Sequence, residues 1–477
     1  MVRVAIWILA SMPAMAGGAS ADPAERARHA VQQIAAEHAP SRIVGFTVAV
    51  AKDGRVVAEA GFGRHALDSP DPMPAGATLD YFSVGKAVTA ALLLKLADRG
   101  LVDLDGNVAD SLPEADLHGA AVTPRHLLTH TSGLWEPELD ETEPPAAFAR
   151  PPPPGAVVAW ANGSTRRAAP GETWLYSNHG FLFAGALAEA ATGRRFEDLV
   201  EDELVAPLGL ARFGSCRFAA ARRAPGYRLA AAGPEPIPPI DPRWFGGAGS
   251  ICGSAADLLH WWSSLDGTLI TRSSFVAMTT PVRLARDGAS SRFGYGLGLR
   301  LGTLHGYRKL GHTGNGAGGT SVLAAYPDTG WAIAVITNTA GPAVPHALEI
   351  EAGTAELLLH GERWAVANRS RTTPNRPLPP GLAAGAPGYY RSPEGRFCIT
   401  RDGEQLYSAS GDGARAALLH LGDGRFSGDD ASAVEYFLGL QTGPAQWFGF
   451  DWHGFPLDLA TRADERCPTS PAAGRSS

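Results

Sequence analysis

Between Asp80 and Gly100 the chain carries a stretch that can be placed in few ways. From Ala87 to Leu94 no residue is charged and seven of the eight are apolar. Helix formers dominate, Ser83 stands where an N-cap is favoured, and Gly100 stands where a helix stops. One helix starting at Ser83 is therefore predicted. A helix apolar on nearly all sides belongs in the interior of a domain. Its first turn nevertheless carries Ser83 and Lys86, at i and i+3 on one face, where free backbone N–H groups also point. A hydroxyl beside an amine in that setting suits acyl transfer.

Lysine is rare here: positions 52, 86, 95 and 309, against thirty-seven arginines. A site needing only a cation would be filled by Arg in such a chain. Lys, unlike Arg, gives up its proton when desolvated, so Lys86 points to proton transfer. A capping Ser with a snorkelling Lys is the bland alternative, and the rest of the chain has to decide between them.

Residues 22–39 show amphipathic helical spacing. Ile43–Val50 alternates, with Phe46, Val48 and Val50 on one face, and returns through Lys52-Asp53-Gly54-Arg55 as a hairpin. Thr123-Pro124 opens a helix that should run to His130. Residues 136–172, with four prolines at 151–154, read as a surface excursion. Tyr176-Ser177-Asn178 falls on a loop before a helix from about Phe181 to Ala191. Strand patterns return at Phe293–Leu301, from Tyr307, at Ser321–Tyr326 and at Trp331–Thr337, before a last helix from about His346 to His360. Strands at both ends with helices between them imply an α+β fold: an antiparallel sheet flanked by helices, its first and last strands meeting around an inserted helical region. Residues 366–386 are a Pro-rich linker by composition. Residues 387–467 read as short strands broken by turns, a small all-β barrel or sandwich, and 468–477 as a disordered tail.

Residues 1–21 have the charged start, apolar run and small-residue end of a signal peptide, with cleavage after Ala21, or Ala16 as competitor. The apolar run is too short for a membrane span. An exported protein, periplasmic or secreted, is expected. Removing that segment takes the formal charge from −7 to −8, since Arg3 is its only charge, which argues against nucleic acid as a partner. In an oxidising compartment Cys216, Cys252, Cys398 and Cys467 allow three pairings, of which 216–252 with 398–467 is the natural choice by position. No cysteine pair has metal-ligand spacing. His126 and His130, at i and i+4, lack the Glu of a zinc-protease frame and are read as structural. Gly316, Gly318 and Gly319 are read as close packing rather than a phosphate loop.

Three motifs occur in order: Ser83-Val84-Gly85-Lys86, Tyr176-Ser177-Asn178 and His312-Thr313-Gly314. With His126-Leu127-Leu128-Thr129-His130-Thr131-Ser132-Gly133-Leu134 and Pro170-Gly171 around them, residues 25–365 resemble the serine β-lactamase and penicillin-binding-protein superfamily. The likeness is to its branch of class C enzymes, D,D-peptidases, D-aminopeptidases and esterases. The resemblance implies a domain over 22–365 that needs no metal or cofactor. In it Ser83 is the nucleophile, Lys86 helps deprotonate it, and Tyr176 shares the general-base role. Asn178 binds the substrate amide and accepts from Lys86, and the backbone N–H groups of Ser83 and Asn315 form an oxyanion hole. His312, Thr313 and Gly314 form the substrate-binding edge, and His312 in place of the more usual Lys implies carboxylate binding that varies with pH near neutrality. The overlapping Lys309-Leu310-Gly311 is rejected as the motif because Leu310 offers no hydroxyl. The expected activity is hydrolysis of D-amino-acid-containing peptides, such as cell-wall peptides, through an acyl-Ser83 intermediate. An esterase or class C-like β-lactamase, acting on a small-molecule or ester substrate, is the alternative, and a non-catalytic scaffold is the alternative of a different kind.

Overall fold

The alternating segment after Ile43 forms the first two of seven antiparallel strands. β1 (Gly45–Lys52) and β2 (Arg55–Gly63) reverse through Asp53 and Gly54, both at positive φ (49° and 79°), as a two-residue hairpin turn requires. The computed structural model describes residues 22–38, 42–137, 139, 144–219, 222–238, 240–284, 294–341, 344, 346–363, 377–391, 396–410, 416–422, 425–428, 434–438, 447–453, 455–463 and 467. The expected signal peptide and C-terminal tail lie outside these residues, as does most of the expected linker.

The sheet continues with β3 (Gly294–Tyr295), β4 (Arg300–Leu304), β5 (Tyr307–Gly316), β6 (Gly319–Tyr326) and β7 (Trp331–Thr337), in the order β3-β4-β5-β6-β7-β1-β2. β1 and β7 pair antiparallel with Val48 opposite Val335, so strands far apart in sequence meet and everything between β2 and β3 is an insertion. Helices α1 (Pro23–His38) and α4 (Ala347–His360) pack on one face of the sheet; on the other lie Ala255–Ser263 and the buried α2 (Gly85–Asp98), with α3 (Asn178–Thr192) packed against α2. Alternation along β1 divides the core. Phe46, Val48 and Val50 pack with Ile34 of α1 and Ile350 of α4 on one face. Ala49 and Ala51 face the larger core, where Leu92 and Leu93 of α2 meet Phe181, Leu258 and Trp261. Every residue from Gly85 to Leu94 is buried, and each Leu removed from water there contributes roughly 1.5–3 kcal/mol.

α2 does not begin at Ser83. Ser83 lies in a 3₁₀ turn, Phe82–Val84, and the position before Gly85 is Val84, which makes no side-chain cap. The turn runs straight into the helix, and Lys86 donates to the Ser83 hydroxyl. α3 starts earlier than its apolar spacing implies, at Asn178, because Ser177 accepts from Gly180 N and caps it. The helix after Thr123 is short, Pro124–Leu128, and the chain leaves it with His130 at φ 56°.

The turn before Ser83 is held from the side. Leu79–Asp80 pairs with Ile251–Gly253, which pairs in turn with Phe213–Ser215, and a Cys216–Cys252 disulfide crosslinks this small sheet. Tyr81 N donates to Ile251 O, and Ser321 of β6 donates to Tyr81 O at 2.6 Å.

Eight further strands, β8–β15, run from Gly388–Arg391 to Phe455–Ala463 and close into a barrel, β8 pairing with β15. Of the two architectures expected for the C-terminal segment, this is the barrel. Pro380–Gly385, within the segment read as linker, is a helix whose Leu382 joins Tyr390, Ile399 and Phe426 in the barrel core, which explains why a Pro-rich stretch is ordered there. A Cys398–Cys467 disulfide ties the first hairpin of the barrel to the end of the described chain. Among the described residues no helix is long and apolar enough to cross a membrane.

Candidate active site

The three motifs converge. Phe82 adopts a left-handed backbone (φ 47°), an uncommon conformation for an aromatic residue, and the half-buried Ser83 follows directly. Lys86, fully buried, places Nζ 3.0 Å from Ser83 Oγ, 2.7 Å from Asn178 Oδ1 and 2.9 Å from the carbonyl of Ala248. The Gly-rich run at 246–249 is a single helical turn that presents this carbonyl. The arrangement accommodates both charge states of Lys86. As an ammonium it donates to all three oxygens. As a neutral amine it donates its two hydrogens to Asn178 and Ala248, and its lone pair faces the Ser83 hydroxyl. Burial pushes the Lys86 amine below its ordinary range, against an opposing pull from the Tyr176 hydroxyl and from Glu136.

Tyr176 lies between cations and imidazoles. Lys86 Nζ is 4.9 Å and the Arg300 guanidinium 5.6 Å from its ring centroid, and the ring lies 4.3 Å from that of His130. His130 Nδ1 accepts from Ser177 N at 3.1 Å. Glu136 completes the support. Ser177 Oγ donates to its Oε2 at 2.7 Å, and Asn178 N and His179 N both donate to Oε1, the second at 3.1 Å. A carboxylate on the first N–H groups of a helix complements the helix dipole and fixes the orientation of Asn178. The excursion at 136–172 is thus anchored beneath the second motif. It contains short elements of its own, Ala146–Ala149 and Ala156–Ala161, with Phe148 stacked on Trp244 at 4.3 Å.

The third motif lies on β5. Gly314 is required by packing: a Cβ there would collide with Ser321 Oγ and with the Tyr81 carbonyl. Only a glycine lets β5 lie against the turn that carries Ser83, and this brings Asn315, which is exposed, to the same edge. Thr313 is partly buried beside it. Lys309, the rejected motif start, faces away from the site and pairs with Glu351 at 2.6 Å.

His312 departs from expectation. It is fully buried, with Nδ1 2.6 Å from the carbonyl of Thr313 and Nε2 2.9 Å from the hydroxyl of Tyr295. A carbonyl only accepts, so Nδ1 carries the proton and Nε2 accepts from Tyr295. Neither nitrogen is left for a substrate carboxylate. Burial, with Arg300 and Lys86 nearby, holds the imidazole well below its ordinary 6.5, and burial together with the same two cations and His312 does so for His130. His312 is a positioning group rather than a pH-dependent anion site. The fixed cation next to Tyr176 is instead Arg300, buried on β4 opposite Gly311.

The pH consequence follows in sign. Both imidazoles are neutral in the folded protein, while the unfolded chain takes up protons below about pH 6.5. Their contribution to stability is therefore fully present above that value and declines as pH falls below it. The KM of a carboxylate-bearing substrate is expected to stay flat between about pH 6 and pH 8. Steady-state kinetics over that range checks it, and a steep rise in KM toward pH 8 would put a titrating charge back on His312.

Glu136, Arg300 and Tyr295 are the site residues that motif spacing does not single out, whereas His130 lies within the stretch ending at Leu134 and reads from sequence as structural. Arg300 had a signal, a lone charge in the otherwise apolar run from Tyr295 to Leu301. Glu136 had none beyond following the motif that ends at Leu134.

The chain is similar to known proteins. Penicillin-binding protein 4 of Amycolatopsis lactamdurans is 33% identical over 276 residues, which is 54% of this chain and 71% of that protein. A D-aminopeptidase of Brucella anthropi is 28% identical over 284 residues, 57% of this chain, and the match spans only 51% of that relative's length. Among solved structures, the octameric penicillin-binding protein homologue from Pyrococcus abyssi superposes with a TM-score of 0.61 at 21% identity, covering 92% of this chain and 99% of that one, which speaks to the fold alone. The Beta-lactamase family model matches residues 28–357, a span that starts in α1, ends in α4 and takes in all three motifs. By that match the chain belongs to the β-lactamase family.

Proposed function

We propose that this protein is an exported serine hydrolase that acts through an acyl-Ser83 intermediate on D-amino-acid-containing peptides or amides. The observation that carries the chemistry is the Lys86 arrangement, an amine 3.0 Å from Ser83 Oγ with its remaining hydrogens directed to Asn178 and Ala248. Lys86 takes the Ser83 proton as the oxygen attacks the carbonyl carbon. Backbone N–H groups of Ser83 and Asn315 receive the developing oxyanion. Tyr176 relays a proton to the leaving amine and then draws one from the water that releases the acyl group. Asn178, fixed by Lys86 and by the Glu136 cap, holds the substrate amide, with Thr313 on the opposite edge. Resemblance to a D-aminopeptidase and a penicillin-binding protein supports the substrate class. Two disulfides support an oxidising compartment and hence export.

Turnover of D-alanine p-nitroanilide, its L enantiomer, p-nitrophenyl acetate and a penicillin tests the substrate class. The D-anilide is expected to exceed the L enantiomer by at least about 100-fold in kcat/KM, since a wrong-handed side chain displaces the carbonyl from the oxyanion donors. Equal rates for the enantiomers with faster ester hydrolysis would make it an esterase, and a penicillin as the best substrate would make it a β-lactamase.

A further inference from the structure

The barrel reaches the main unit through a hairpin whose use the chemistry above does not explain. β14 (Trp447–Trp452) and β15 (Phe455–Ala463) turn through His453, and Phe455 is fully buried in the core that α1 and α4 make against the sheet. Lys309 of β5 is fully buried beside it. Its Nζ donates to Glu351 Oε2 of α4 at 2.6 Å and to the carbonyl of His453 at 2.8 Å, and lies 4.5 Å from the Phe455 ring centroid. Tyr326 of β6 donates to the other Glu351 oxygen at 2.6 Å.

Lys309 is one of the four lysines in an arginine-rich chain. A compact ammonium can serve a carboxylate, a carbonyl and an aromatic face at one point, which a planar guanidinium fork does not match. Lys309 also lies three residues before His312 on the same strand, so the two side chains leave opposite faces of the sheet. His312 meets Tyr295 on the front, and Lys309 meets the barrel hairpin on the rear.

We propose that the β14–β15 hairpin is a positioning element of the active site: through Lys309 and Phe455 it braces from the rear the strand that carries His312 on its front face and runs on through Thr313 and Gly314 to the backbone N–H of Asn315. The proposal deepens the acyl-transfer reading and rests on it. An edge displaced by even a fraction of an ångström misaligns the oxyanion donors without touching Ser83 or Lys86.

The test uses the full chain. Phe455→Ala empties the rear contact, and Phe455→Leu restores apolar bulk. Lys309→Met with Glu351→Gln removes the tie to His453 without leaving a lone buried charge, and keeps an acceptor for Tyr326. Leu418→Ala, inside the barrel core, controls for lost barrel stability. Amide exchange over 309–316 is expected to quicken about tenfold in Phe455→Ala and in the double variant. Acylation by p-nitrophenyl acetate should slow about 10- to 100-fold with KM changed less than about threefold, Phe455→Leu recovering most of the rate. Leu418→Ala should alter neither. Unchanged exchange and acylation in both interface variants would overturn the proposal. So would faster exchange with unchanged acylation, or an equal loss in Leu418→Ala. An unreactive wild type would overturn the acyl-transfer reading itself, and the exchange measurement would still show whether the hairpin steadies β5.

Discussion

Lys86→Arg is expected to lower kcat/KM by about a thousandfold or more, although it conserves charge. The wild-type amine has three oxygens around it, and one of these belongs to the group it must deprotonate. Arg cannot offer a lone pair to the Ser83 hydroxyl because it does not lose its proton in a protein. Its planar fork is also too large for the space between Asn178 and Ala248, where Lys86 is fully buried. Pre-steady-state acylation isolates the step. A rate within about tenfold of wild type would reduce Lys86 to an electrostatic role and assign proton removal to Tyr176 alone.

Tyr176→Phe is expected to separate the two halves of the reaction. The ring packs 4.3 Å from His130 and lies near both Lys86 and Arg300, so phenylalanine retains these contacts and loses only the hydroxyl. Without it the acyl-enzyme lacks the group that activates water, and kcat should drop about 10²- to 10⁴-fold, the usual worth of a general base. An acyl species should then accumulate, visible as a burst of one p-nitrophenolate per enzyme. Multiple turnovers at near-wild-type rate would move the base elsewhere in the site.

How much of this was legible beforehand depends on the scale of each interaction. The apolar run of α2, the alternation of β1 and the turn at Asp53-Gly54 are local, and the fold follows from them with few choices. Ser83, Lys86, Tyr176 and Asn178 stand in short motifs that are legible locally, and the structure brings Ser83, Lys86 and Asn178 within hydrogen-bond distance with the Tyr176 ring beside them. Ser83 as a helix cap was not correct, because the local signal that favours Ser before a helix competes with a tertiary demand for its hydroxyl. His312 shows the same limit more sharply. Its position in the third motif says where the strand edge runs, but its neutral state is set first by burial and then by Arg300 and Lys86, and its Nε2 is taken by Tyr295, none of which is local in sequence. Glu136 acts on a helix some forty residues downstream, a distance no periodicity records. The Pro-rich stretch near 380 reads as linker by composition, yet Leu382 is drawn into the barrel core by burial that composition does not show.

The proposed reaction passes through a covalent bond from Ser83 to the acyl group of its substrate. Intact-protein mass spectrometry after quenching with acid, using Tyr176→Phe to retain the adduct, measures it directly. With a D-alanyl ester or a penicillin the protein should gain the mass of one acyl group, peptide mapping should place it on Ser83, and Ser83→Ala should abolish it. Turnover of substrate with no adduct in Tyr176→Phe, or an adduct that persists in Ser83→Ala, would contradict the account.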